Sequence, residues 1–207
     1  MSDAAAVYVI DDDESVRRAV GRLIRSLGLA VQTFPSAEAF LAHPRPDGPS
    51  CLVVDVRLPG PSGLELQATL GPAQHTMPII FITGHGTVPT SVRAMKEGAL
   101  DFLQKPFDDQ ELVEAIHRAL TRSRQARTEG AERAAVEGRL DTLTAREREV
   151  LRLVVTGMLN KQIAANLGVA EKTIKVHRGR MMKKMQAESV PDLVRMMHKA
   201  GLETAPP

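Results

Sequence analysis

The chain has 207 residues, enough for two ordinary domains, and 43% of them are hydrophobic, which supports packed cores and excludes wholesale disorder. Its one cysteine, Cys51, excludes a disulfide framework and a cysteine-built zinc site within the chain. The net charge of +2 hides an asymmetry: residues 1–120 carry ten Lys/Arg against fifteen Asp/Glu, and residues 144–200 carry twelve against five, so an acidic half is joined to a basic half suited to a polyanion.

Residues 7–10 are apolar throughout and predict a buried strand. Residues 14–28 follow with Val16, Val20, Leu23, Ile24 and Leu27 at helical spacing and Gly28 as the stop. Residues 30–34 predict a second strand, and residues 36–42 a short helix cut off by Pro44 and Pro46. The third strand spans 51–55, with Cys51 read as a small buried hydrophobe. A Pro/Gly loop leads to a helix near 63–70, then to a fourth strand at 78–83. A helix over 90–97 ends at Gly98, a short fifth strand spans 101–104, and a last helix starts near Asp108. Fully apolar strands alternating with helices predict a doubly wound five-stranded parallel sheet covered on both faces.

Residues 121–143 are polar and are interrupted by Gly130 and Gly138, so they read as a linker, partly helical. Past them no strand pattern remains. Thr144-Ala145-Arg146-Glu147 is a capping box for a helix whose apolar face is Val150, Leu151, Leu153 and Val154, ending at Gly157. Asn160 is read as the cap of a short helix running to Leu167 and stopped by Gly168. A longer helix covers 171–185, and Pro191 starts a fourth. Four short helices with tight turns predict an all-α helix-turn-helix unit. The division is then 1–120, a linker at 121–143, and 144–207. The first residues show no basic patch followed by an apolar stretch, and no apolar run approaches the ~18 residues of a membrane helix, so the reading is a cytoplasmic chain without a membrane partner.

Strand ends in a parallel sheet converge on one rim. Asp11 and Asp12 follow the first strand, Asp55 ends the third, Thr83 ends the fourth and Lys105 follows the fifth. Three carboxylates on one rim repel unless a cation joins them, and oxygen-only ligands select a hard divalent ion, Mg²⁺. A lysine and a hydroxyl beside that cluster suit a phosphoryl group. Taken singly, Asp11 to Asp13 read as a solvated charge run, with Asp13 a helix cap, and Lys105 as a surface lysine. Five such residues at successive strand ends favour the site. The isomer of the Lys105-Pro106 bond is open.

The stretches Val9-Ile10-Asp11-Asp12-Asp13, Val54-Asp55-Val56-Arg57-Leu58-Pro59-Gly60-Pro61-Ser62-Gly63, Ile82-Thr83-Gly84-His85-Gly86 and Lys105-Pro106-Phe107 resemble the receiver domains of two-component systems. The Thr-Gly-His-Gly stretch is similar to the FixJ subgroup. The resemblance covers 7–120 and implies a flavodoxin-like fold. It implies that Asp55 accepts a phosphoryl group from a histidine kinase. Asp12, Asp55 and the Arg57 carbonyl would hold Mg²⁺, with Asp11 acting through water. Thr83 and Lys105 would grip the phosphoryl oxygens, and Phe102 falls where receivers carry the aromatic that swings with Thr83.

Residues 144–200 resemble the DNA-binding domain of the LuxR/FixJ (NarL) type, carried by 143–151, Asn160-Lys161-Gln162-Ile163-Ala164 and Thr173-Ile174-Lys175-Val176-His177-Arg178. By this similarity 171–185 is the recognition helix, so that Thr173 lies among the DNA contacts. Lys172, Lys175, Arg178, Lys183 and Lys184 give that helix a dense positive face for phosphates. Ile174, Met181, Met182 and Met185 are its core stripe. Val176 is placed to meet a thymine methyl and Lys175 to reach guanine. His177 has no second ligand in the pattern and reads as a phosphate or packing residue. Two departures stand out. Ala170 lies where relatives carry a Ser or Asp cap. Gly179 lies where some carry a base-contacting basic residue, for which Arg178 or Arg180 would substitute.

The expected function is a transcription factor switched by phosphorylation, not a turnover enzyme. Its partners would be a kinase, promoter DNA and RNA polymerase. An aspartate-nucleophile phosphatase needs a second carboxylate two residues after the first, where Arg57 stands. Phosphorylation is expected to make a homodimer through Val92, Met95 and Leu100, with a core role as the alternative reading for these three.

Overall fold

The computed structural model describes residues 5–45, 47–84 and 88–201. Pro46, His85, Gly86 and residues 202–207, which entered the sequence reading, lie outside the described residues. The chain forms two compact units, Met1–Arg127 and Thr128–Pro207.

The first unit runs β1 (Ala6–Ile10), α1 (Glu14–Ser26), β2 (Ala30–Phe34), α2 (Ala37–Leu41), β3 (Ser50–Asp55), α3 (Gly63–Leu70), a 3₁₀ turn (Gly71–His75), β4 (Ile79–Thr83), α4 (Val88–Lys96), β5 (Asp101–Gln104) and the start of α5 (Asp109–Asp141). The strands are all parallel in the order β2-β1-β3-β4-β5, the expected doubly wound sheet. Alternate residues of each strand feed opposite faces. Val7, Val9, Cys51, Val53, Ile80 and Ile82 pack with Val20 and Ile24 of α1 and Leu112 and Ile116 of α5. Tyr8, Ile10, Leu52, Val54, Ile79 and Phe81 pack with Phe40, Leu66, Leu70 and Ala94 on the other face. Burial pushes the Cys51 thiol up to about 12, as suits an inert core residue. β2 departs from the expectation of fully apolar strands. It is an edge strand, and Ala30, Gln32 and Thr33 are exposed.

Local signals set the helix ends. The Asp13 side chain caps α1, accepting from Ser15 N at 2.7 Å. Ser62 and Glu65 close a capping box on α3, and Asp108 accepts from Gln110 N at 2.7 Å before α5. The segment 121–141, read as partly helical, is helix throughout within α5. Near its middle, buried Ser123 accepts from Ser50 N and donates to Thr76 O, tying α5 to the start of β3 and the turn before β4.

The second unit adds α6 (Ala145–Val155), α7 (Asn160–Leu167), α8 (Glu171–Met185) and α9 (Val190–Lys199). Its core joins Val150, Leu151, Val154, Ile163, Ile174, Met181, Met185, Leu193 and Met197. Val136 of α5 and Leu143 are buried in it as well, so the four expected helices are completed by the end of a fifth. Asn160 is not the cap of α7. Leu159 holds that position, and only half of a box forms, with Leu159 N donating to Gln162 Oε1 at 2.8 Å. α8 begins at Ala170 without a side-chain cap, as the sequence implies.

The box at α6 forms as read: Thr144 N donates to Glu147 Oε2 at 2.9 Å and Glu147 N to Thr144 Oγ1 at 3.3 Å. Glu147 is buried and also takes Lys184 Nζ at 2.6 Å. Chiefly through that lysine, its carboxyl is held at about 2, below the ordinary 4.5. A depressed carboxylate stabilises the fold in full above the unfolded value and loses that contribution as pH falls through the folded one. The second unit is therefore expected to lose thermal stability between pH 5 and pH 2. Glu147→Gln is expected to cost on the order of 1–3 kcal/mol at pH 7 and to flatten that loss, read by calorimetry.

Candidate functional site

The carboxyl ends of β1, β3, β4 and β5 bring the five expected residues together. Asp11 is fully buried, Asp55 and Thr83 nearly so, Lys105 is half-buried and Asp12 is exposed. Lys105 Nζ donates to Asp11 Oδ2 at 2.5 Å and to Asp55 Oδ2 at 2.7 Å, so one ammonium joins two carboxylates from different strands. The backbone fixes its carrier: Lys105 N donates to Thr83 O at 2.8 Å, continuing the β4–β5 pairing, and the Lys105–Pro106 bond is cis.

Each carboxylate is oriented through its other oxygen. Asp11 Oδ1 accepts from Asp13 N and Asp55 Oδ1 from Arg57 N, both at 2.9 Å. Asp11, Asp12 and Asp55 each offer an oxygen within 4.8 Å of the others. That acidic set, with no nitrogen or sulfur donor in it, matches a hard divalent cation. Burial raises the Asp11 carboxyl above its ordinary value, against the lowering effect of Lys105. Burial works to discharge Lys105, but its hydrogen bonds to Asp11 and Asp55 outweigh that and hold the ammonium above the usual lysine value. The pocket thus stores negative charge around one cation and can take an incoming anion only with further positive charge.

Two residues that shape the rim escaped the sequence reading. Arg17 of α1 donates to the carbonyls of Asp11 and Asp12 at 2.7 and 2.9 Å, fixing the loop that carries them. Periodicity marks Arg17 only as one more polar helix position. Gly63 opens α3 against the end of β3, where a Cβ would lie 2.3 Å from Asp55 O and 3.0 Å from the Phe81 ring. Phe102 is half-buried with its ring 6.3 Å from that of Phe81.

The surface beside the rim divides the three apolar residues assigned to pairing. On α4, Val92 is 45% and Met95 46% exposed, and Val88 reaches 77%. Leu100 is half-buried against the core face beneath α1 and α5, so it belongs to the packing of the fold and not to an open surface.

In the second unit α8 presents Lys172, Thr173, Lys175, Val176, Arg180 and Lys183 to solvent. His177 and Arg178 are half-buried at the side of that face, and Met182 is half-buried in the core stripe. Arg178 Nη1 donates to Asn160 Oδ1 at 2.7 Å. Lys184 departs from the sequence reading. Besides Glu147 it bonds Thr142 O at 2.9 Å, so its ammonium clamps α8 to the start of α6 and its charge is cancelled within the unit. Among the described residues no helix is long and apolar enough to cross a membrane.

Comparison with known proteins matches a family to each unit. Residues 7–117 match the response regulator receiver domain, and residues 141–197 match the bacterial regulatory proteins of the luxR family. Nodulation protein W of Bradyrhizobium diazoefficiens is 51% identical over 97% of this chain and 88% of its own. The transcriptional regulatory protein FixJ of Azorhizobium caulinodans is 47% identical over 99% and 97%. Among solved structures, the response regulator StyR superposes with a TM-score of 0.83 at 45% identity, covering 95% of this chain and 99% of that one. Sequence, strand topology and matched domains agree, and the chain belongs to the two-component response regulators that join a receiver to a LuxR-type helix-turn-helix domain, as the FixJ proteins do.

Proposed function

We propose that Asp55 is the sole phosphoacceptor of this regulator and that its phosphorylation by a histidine kinase controls binding to promoter DNA in the cytoplasm. The observation that carries the reading is the Lys105 ammonium shared between Asp11 and Asp55. An Asp55 oxygen attacks the phosphorus of a phosphohistidine. The P–N bond breaks, its electron pair leaves with the imidazole, which takes a proton from solvent, and an acyl phosphate remains. Lys105 then turns from the carboxylate to the new oxygens, and Thr83, buried at the end of the neighbouring strand, donates to them. Mg²⁺ suits this oxygen-only set: Asp12, Asp55 and the Arg57 carbonyl would hold it, Asp11 through water, and it would supply positive charge against the phosphoryl oxygens. Small phosphodonors serve the same carboxylate, and the acyl phosphate hydrolyses slowly on the protein. The working division is a phosphoacceptor part at 1–120, a connecting helical stretch at 121–143 and a DNA-binding part at 144–207.

In the DNA-bound state α8 lies in the major groove. Lys172, Thr173, Arg178, Arg180 and Lys183 serve phosphates with His177 at their flank, while Lys175 and Val176 meet base edges. Lys184, engaged by Glu147, leaves that set. Thr83 moves towards the phosphoryl group and Phe102 follows into the space it vacates. This repacks the surface next to α4, and exposed Val92 and Met95 seed a homodimer. Pairing two domains raises affinity by effective concentration, with half-sites roughly 10 bp apart centre to centre. RNA polymerase is the partner on the promoter.

Wild-type protein incubated with acetyl phosphate and Mg²⁺ is expected to gain one phosphoryl group by intact mass, and Asp55→Asn none. Chelation of the metal is expected to abolish the gain. A labelled Asp55→Asn protein overturns the assignment.

On DNA, Lys172→Ala is expected to weaken all duplexes alike and to lower the log–log salt slope by about 0.9. Lys175→Ala is expected to cost about 1–3 kcal/mol on the specific site only. Equal losses for Lys175→Ala on specific and random duplexes remove it from the base-reading set.

With beryllofluoride as phosphoryl mimic, light scattering is expected to show a doubled mass for the wild type and a monomer for Val92→Asp combined with Met95→Asp. An unchanged wild-type mass at tens of micromolar, with Asp55 occupied, excludes the dimer switch.

A further inference from the structure

The two half-buried cations of α8 that have partners inside the unit are treated differently. Lys184 is held by the buried carboxylate of Glu147, which cancels its charge. Arg178 is held at 2.7 Å by the side-chain oxygen of Asn160, a neutral acceptor. Among the described residues no carboxylate pairs with Arg178. Arg178 also lies off the exposed row of Lys172, Lys175, Val176 and Lys183. It shares the helix side of Ile174, Met181 and Met185, so its guanidinium emerges beside the first turn of α7 and not over the centre of α8. Asn160, displaced from the capping role, is the first residue of that turn, and Leu159 leaves its side chain free to turn to α8. Lys161, also exposed there, adds a second cation.

We infer that Asn160 is a positioning residue for DNA binding: it fixes the Arg178 guanidinium at the edge of the helix-turn-helix without neutralising it, so that Arg178 delivers a whole positive charge to a backbone phosphate. The inference rests on the reading that α8 faces DNA. A long arginine side chain loses rotamer freedom when it meets a phosphate. A partner that restricts it beforehand lowers that loss, because less order remains to be imposed on binding. A carboxylate in the same place would restrict it equally but would release no counterion on DNA, since the charge would already be met. An amide restricts and leaves the charge, and the remaining guanidinium N–H groups stay available to phosphate oxygens. Arg178 occupies one Asn160 acceptor through one of its five donors, which is compatible with a second, bidentate contact to DNA.

The test is a double-mutant cycle on the full-length protein with beryllofluoride, measuring binding to a fluorescent random-sequence duplex across a range of salt, with thermal unfolding of each variant alongside. Arg178→Ala is expected to weaken binding roughly tenfold and lower the salt slope by about 0.9. Asn160→Ala is expected to weaken binding several-fold with an unchanged slope, since the charge remains. The double variant is expected to match Arg178→Ala. Asn160→Asp is expected to keep Arg178 in place, leave the unfolding temperature no lower, and yet bind more weakly with the slope reduced by about one unit. Wild-type affinity for Asn160→Ala beside a weakened Arg178→Ala, additive losses in the double variant, or a wild-type slope for Asn160→Asp each overturn the inference. Unchanged binding by Arg178→Ala overturns instead the underlying reading of Arg178 as a phosphate contact.

Discussion

The first unit is organised around one electrostatic constraint: acidic side chains from different strands must share a rim, and a single ammonium holds two of them there. Parallel strands deliver Asp11 and Asp55 to neighbouring positions because β1 and β3 pair in register, Ile10 beside Val54. Without Lys105 the two carboxylates would be a cost to the fold. With it, the ion pair joins β1, β3 and the end of β5, strands that enter the chain far apart. The same constraint makes the site responsive. A group that draws Lys105 away from Asp55 would change what holds the rim together.

The surroundings keep that rim rigid. Both faces of the sheet are closed by apolar clusters, so the strand ends cannot drift. Arg17 secures the loop after β1 by its carbonyls, and Gly63 lets α3 start in contact with the carbonyl of Asp55. Both devices act on backbone, so their residue types carry little signal. Arg17 is one arginine among several on α1, and Gly63 follows a loop rich in glycine and proline. The parallel doubly wound sheet and the five rim residues were legible because strand period and strand ends are written in short apolar runs followed by polar residues. Edge exposure of β2 was not, because Ala30-Val31-Gln32-Thr33-Phe34 has enough apolar character to read as buried until its neighbour is known.

The segment after the first unit shows where local composition misleads. Gly130 and Gly138 argue for interruption at about 1 kcal/mol each, yet α5 runs unbroken to Asp141. A Cβ at either glycine would meet nothing within 4 Å, so neither is required by crowding. The helix holds because tertiary contacts outweigh the propensity: Val136 is buried in the core of the second unit and Leu140 packs against it. Those contacts join residues distant in sequence, which no window along the chain contains. Asn160 misled for the converse reason. It has the chemistry of a cap and stands at a helix start, but Arg178 of another helix competes for its oxygen and wins.

The same competition governs how much of the basic half is available to a polyanion. Counting lysines and arginines along α8 treats each as one free charge, and the packing of the unit contradicts that. Lys184 is spent on Glu147, whose carboxyl is held at about 2 chiefly by that lysine and next by the Thr144 backbone N–H of the capping box. Such a pair stabilises α6 against α8 and offers almost no field beyond itself. Arg178, anchored by an amide, keeps its field. The distinction between a charge that builds the fold and one that serves the ligand therefore lies in the partner's own charge, which residue counts and helical periodicity leave out. In a helix-turn-helix unit of this size both kinds are needed: some cations must lock the recognition helix to its scaffold before the others can be presented to DNA at fixed positions.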